Sequence, residues 1–258
     1  MQDSERFAVG FHDVAGIRDT VGYEGDGTEL PDPADEDPTR AWGLRATRLA
    51  VPMVLQQPNL PRVLTGATMD WSLSHYGSTA IVHDTPDAQH ADQVLSEAGW
   101  TRQDDLWLAD DSLPGWHRAM RVTDTDIVVL PRDGSVTIEP DAANSALDDA
   151  RVQALLRCLD DPHMMHLVSL PGDDRTMAVA AKVDADGNGT AWSCIHAPGR
   201  AEEVAASLQP NNPAVTMSAP EVDGDVIRTA LQVEPLPGTA PAEAMLVAGV
   251  PEMPFPGF

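Results

Sequence analysis

The run Asp184-Ala185-Asp186-Gly187-Asn188-Gly189 places side-chain oxygens at alternate positions, on Asp184, Asp186 and Asn188, with a Gly at the sixth. Oxygen ligands at the first, third and fifth positions and a Gly at the sixth open a calcium-binding loop. The bidentate Glu that closes such a loop at its twelfth position is missing, since Ile195 stands there. The same letters also make a polar hairpin turn, because Asp, Asn and Gly tolerate positive φ. The flanks read as strands rather than helices, which favours the turn over calcium.

The chain has two cysteines, Cys158 and Cys194, the first on a predicted helix and the second on a predicted strand. No C-x-x-C or Cys/His zinc spacing surrounds them. In an exported protein an even count reads as one disulfide, and in a cytosolic one as two buried thiols. His163 and His166 have the spacing of a helical metal pair. They fall at a predicted strand entry, where that spacing points side chains to opposite faces. His83 and His196 stand at strand ends, where a structural hydrogen bond is the expected role. There is no G-x-S-x-G elbow, no H-E-x-x-H and no strand-to-helix Gly loop for phosphate. Trp71, Trp100, Trp107 and Trp116 crowd the first half, as core and rim packing or as the lining of a sugar or lipid groove.

Lys and Arg number 16 against 41 Asp and Glu, a net charge of −25. That field repels phosphate backbones and anionic lipid, so neither nucleic acid nor a membrane surface is an expected partner. Lys182 is the sole lysine. With 42% hydrophobic residues in 258, the chain can bury a real core. No apolar run approaches the roughly 20 residues of a membrane-spanning helix. The start Met1-Gln2-Asp3-Ser4-Glu5 is polar and acidic. It is not a signal peptide, so the expectation is a cytosolic chain or one whose signal has been removed.

The elements follow from period and punctuation. Ser78–His83 alternates as a strand. Thr85-Pro86 then opens a helix carrying Ala88, Ala91, Val94, Leu95 and Ala98 on one stripe, and Gly99 closes it. Hairpins are predicted around Gln103-Asp104-Asp105 and Thr123–Asp126. Helices are expected over 13–21, 40–52, 147–159 and 199–208, and strands over 68–73, 135–139, 164–170, 176–183, 191–196 and 226–233. Residues 7–21 read as a short mixed segment that allows the helix from about 13, and 210–222 as a loop. A helical turn at 58–66, short helices at 141–146 and 240–247, and a Pro-rich tail complete the chain. The fold class is therefore α+β, with antiparallel sheets and helices packed on one face. Residues 1–58 form an N-terminal segment with an acidic loop at 23–39, 59–140 a first lobe and 141–258 a second. Val82-His83, Ala88, Ala91 and Leu95 echo Ile195-His196, Ala201, Val204 and Leu208 at constant spacing, as two copies of an α-β-β-α-β unit would.

Thr65-Gly66-Ala67-Thr68-Met69-Asp70-Trp71, Thr79–Val82 and Leu95-Ser96-Glu97-Ala98-Gly99-Trp100 together resemble a pattern in actinobacterial cell-envelope lipoproteins of unknown function. Leu113-Pro114-Gly115-Trp116-His117-Arg118-Ala119 followed by Val122–Leu130 belongs to the same resemblance. It implies an exported, envelope-associated protein and carries over no site residues. The first expectation is thus a non-enzymatic extracytoplasmic protein that binds an envelope component or a protein partner. The second is a hydrolase using His and Asp in a cleft between lobes, and the third a structural scaffold. No cofactor is expected beyond calcium at Asp184, Asp186 and Asn188.

Overall fold

The structure is a computed structural model that describes residues 7–25, 37–51, 60–61, 64, 69–75, 79–83, 88–110, 117–131, 149–169, 174–210 and 215–234. Residues 26–36 of the predicted acidic loop 23–39, the cap at Thr85-Pro86, the strand at 135–139, the helices at 141–146 and 240–247, Trp116 and the tail lie outside the described residues. So does most of the helical turn at 58–66. The chain divides into two compact units. One is Gly10–Ile138, and the other is Glu139–Phe258 together with Met1–Val9.

The first unit begins with the end of β1 (Phe7–Asp13), a strand where the sequence reads as a mixed segment. Asp13 turns the chain into α1 (Val14–Val21) by accepting the Gly16 N–H at 2.8 Å. Gly22 stops it in the left-handed region at φ 66, a conformation that costs Gly nothing. Asp37 caps α2 (Pro38–Ala50) by accepting from Thr39 N at 3.0 Å and Arg40 N at 3.1 Å, with Pro38 in the first turn. After the hairpin of β2 (Trp71–His75) and β3 (Thr79–His83) comes α3 (Ala88–Glu97). The strands β4 (Trp100–Gln103), β5 (Leu106–Ala109), β6 (His117–Val122) and β7 (Asp126–Pro131) follow. Their order is β2-β3-β7-β6-β5-β4, every pair antiparallel. Gln103 pairs with Leu106, so the β4–β5 turn is Asp104-Asp105 alone, with Asp104 at φ 54. Ala91 and Leu95 of α3 pack with Val14, Met120, Ile127, Val129, Trp100 and Trp107 into one core. Ala98, expected on the same stripe, is exposed.

The second unit holds α4 (Ala150–Leu159), β8 (Met164–Ser169), β9 (Thr176–Val183), β10 (Gly189–His196), α5 (Ala201–Ser207), β11 (Val215–Met217), β12 (Glu221–Asp223) and β13 (Val226–Val233). The sheet order is β11-β13-β10-β9-β8, with β12 also on β13. The expected loop 210–222 is corrected by β11 and β12, two three-residue strands that bond to β13. Such strands are too short for a period to register. Asp149 caps α4 by accepting from Arg151 N at 2.8 Å, and a cap of this kind contributes about 1 kcal/mol. The hydrogen bonds from the Arg151 guanidinium hold the Asp149 carboxyl down at about 2, against the smaller opposing effect of burial.

The α+β class is as the sequence implies, but the second unit's helices take opposite faces of its sheet. Val152, Leu155 and Leu159 of α4 pack on Ala178, Ala180, Trp192 and Cys194. Ala201 and Val204 of α5 pack on Met177, Ile195 and Ile227, the alternate residues of the same strands. In each unit a hairpin is followed by a helix, and a later strand, β7 in the first and β13 in the second, lies antiparallel to the hairpin's second strand. The pairings are Val82 with Ile127 and Ile195 with Ile227.

Candidate functional site

A row of polar residues crosses one end of the second unit's sheet. Ser169 stands opposite Thr176, and Thr176 opposite His196, so all three share one face of β8, β9 and β10. Thr176 is 1% exposed and Ser169 2% exposed. Thr176 Oγ1 and His196 Nδ1 are both buried and find no hydrogen-bond partner among the described residues. A buried hydroxyl without a partner costs about 1–3 kcal/mol. Thr176 and His196 are neighbours that do not bond to each other, so the pair is not an assembled nucleophile and base. On the opposite face Ser193 and Thr229 stand across from each other, both buried and likewise without partners among the described residues.

The face that carries Thr176 and His196 also carries the covalent link. Cys158 on α4 and Cys194 on β10 form a disulfide, with Cα atoms 6.2 Å apart. Cys194 is fully buried, and Trp192, two residues before it, shares its cluster. The Arg228 guanidinium lies 5.7 Å from the Trp192 ring centre, within cation–π range. The sequence left open whether the cysteines were bonded, and the fold brings them together because α4 lies along β10.

Among the first unit's buried polar residues is His12, on β1. Its Nδ1 lies 2.7 Å from Ala50 O at the end of α2. Burial pushes its pKa down to about 4, against the weaker upward pull of that hydrogen bond. At neutral pH the ring is therefore uncharged and donates from Nδ1 to the carbonyl. Ser72 and Thr47 are also buried, their hydroxyls without partners among the described residues, and Ser74 makes a long 3.5 Å bond to Gly10 O. None of these residues stood out in the sequence. The one signal for them in the sequence is a polar residue inside an apolar stretch.

The residues singled out from sequence fall as follows. Asp184 Oδ1 accepts the backbone N–H of Asp186 at 3.0 Å and of Asn188 at 2.9 Å, and Asp184 N donates to Asn188 O at 2.9 Å. Its carboxylate thus closes the β9–β10 turn, while Asp186 and Asn188 face solvent. No group of three or more His, Cys, Asp or Glu side chains among the described residues is placed to hold a metal ion. With Asp184 engaged in closing the turn, calorimetric titration with calcium is expected to release no heat, and a stoichiometric isotherm would assign the run to calcium. His163 is buried, and its Nδ1 accepts the Val183 N–H at 3.3 Å, a bond that ties the start of β8 to β9. His83 ends β3 and His196 ends β10. Trp100 and Trp107 are core residues, and Trp71 packs against Phe11 at 6.4 Å. Among the described residues no helix is long and apolar enough to cross a membrane.

Comparisons with protein families, with curated proteins and with solved structures find no match to this chain.

Proposed function

We propose that this chain is an extracytoplasmic, non-enzymatic binding protein of the cell envelope. The observation that carries the proposal is the Cys158–Cys194 disulfide. Cytosolic thiols are kept reduced, whereas a bonded pair persists in an oxidising space. The charge of −25 selects against polyanionic partners and leaves uncharged or basic ones. A nucleophile and base within the Ser169–Thr176–His196 row would need Thr176 Oγ1 and His196 Nδ1 at about 2.6–3.2 Å. They stand opposite each other without that bond.

Fractionation of the producing cells with thiol mapping tests the compartment. The expected result is recovery in the envelope or medium, with neither cysteine alkylated until a reductant is added. Recovery in the cytosol with both thiols free would remove the support for export.

A further inference from the structure

The turn between β9 and β10 holds two Asx-Gly pairs, Asp186-Gly187 and Asn188-Gly189, and the structure treats them differently. Cyclisation at such a pair needs the glycine's backbone nitrogen to reach the side-chain carbonyl carbon before it, and Gly permits this approach because it lacks a Cβ. The Gly187 N–H is occupied, since it donates to Asp184 O at 3.3 Å, and Gly187 is buried. Gly189 is placed otherwise. Its partner across β9 is Val183, whose N–H turns the other way, to His163 Nδ1. On its other side the register with β13 begins only at Ala191. Gly189 thus stands at a position of the β9 pairing that exchanges no backbone bond, before the β13 pairing begins. Asn188 is exposed, and its backbone bonds to Asp184 leave the carboxamide in water.

We infer that Asn188 is a site of spontaneous deamidation, and that the folded state leaves it open while shielding Asp186. Hydroxide takes the Gly189 N–H proton, and the nitrogen bonds to Asn188 Cγ. The Cγ–Nδ2 bond breaks, and ammonia leaves with a proton from water, which regenerates the hydroxide. Water then opens the cyclic imide at either carbonyl. One product is aspartate and the other is isoaspartate, whose main chain runs through the former side chain. Both add a negative charge beside Asp184 and Asp186. Isoaspartate also lengthens the backbone inside the turn that Asp184 closes, so the hairpin bearing Cys194 loosens with the age of the molecule.

The test is peptide mapping of the oxidised, folded chain held at mildly alkaline pH and body temperature, with the reduced, alkylated, denatured chain as reference. The expected result is conversion of Asn188 at a rate within severalfold of the denatured chain. Isomerisation at Asp186 should be much slower in the folded chain than in the denatured one. Gly189→Ala is compatible with the extended backbone of β10 and should slow the conversion severalfold by crowding the nitrogen. Folding that protects Asn188 by an order of magnitude or more, or equal protection of both pairs, would overturn the inference.

Discussion

Removing the Cys158–Cys194 bond is expected to lower the stability of the second unit by about 4 kcal/mol, the chain-entropy value for a loop closed across a separation of 36 residues. Cys158→Ala with Cys194→Ala is the informative variant. Both replacements are small and apolar, and Cys194 is fully buried among Ala178, Ala180 and Trp192, so no polar group is stranded. What the pair removes is the tether between α4 and the interior strand β10. The helix keeps Val152, Leu155 and Leu159 on the sheet, so it should still dock, with its unfolded alternative no longer restricted. Denaturant unfolding of the oxidised chain and the double variant, read through Trp192, measures the difference. A loss below about 1 kcal/mol would mean that packing, not the cross-link, holds α4, or that strain in the folded state cancels the entropic gain.

Most of the elements were legible because each carries its own punctuation. Asp13 and Gly22 bracket α1, Gly99 stops the helix before β4, and Asp184 with Asn188 closes the β9–β10 turn. Two things were not legible, for separate reasons. The strands β11 and β12 are defined by what β13 offers them, and three residues cannot show a period. The opposite placement of α4 and α5 is a property of the sheet between them. Thr176–Ala181 and Ala191–Ile195 are buried without a break, which is the signature of strands covered on both faces. That continuous burial was visible as an apolar run, but a run of this kind can equally be an edge of one core, so the second helix layer could not be read from it.

The candidate sites were less legible than the fold. Cys158 and Cys194 could be named because sulfur is rare in this chain, yet their meeting depends on how α4 lies along β10. Thr176, His196, Ser193 and Thr229 form cross-strand rows, and a row exists only once the register is known. The calcium-like run shows the converse. Its letters were conspicuous, and what the fold shows of them is Asp184 Oδ1 accepting backbone N–H groups of its own turn.

Acid is expected to weaken the first unit through His12 by about 3 kcal/mol, since a drop from 6.5 to about 4 is worth about 1.4 kcal/mol per unit. The sign follows from proton uptake. Above pH 6.5 the ring is neutral in both states, and the native state carries the full benefit. Between 6.5 and about 4 the unfolded chain binds a proton that the buried ring refuses, so unfolding gains with each step down. Below about 4 both states are charged and the loss is complete. Across the same range the Asp and Glu side chains begin to protonate, and relief of the −25 charge works in the opposite direction. The His12 contribution must therefore be read as a difference. His12→Asn keeps a nitrogen donor near the Nδ1 position for Ala50 O and removes the titrating ring. The gap in unfolding free energy between the two proteins should shrink steadily from pH 7 to pH 4. Parallel curves over that range would mean that His12 admits its proton without leaving the fold, and that the ring is neither as dry nor as firmly held by α2 as its burial implies.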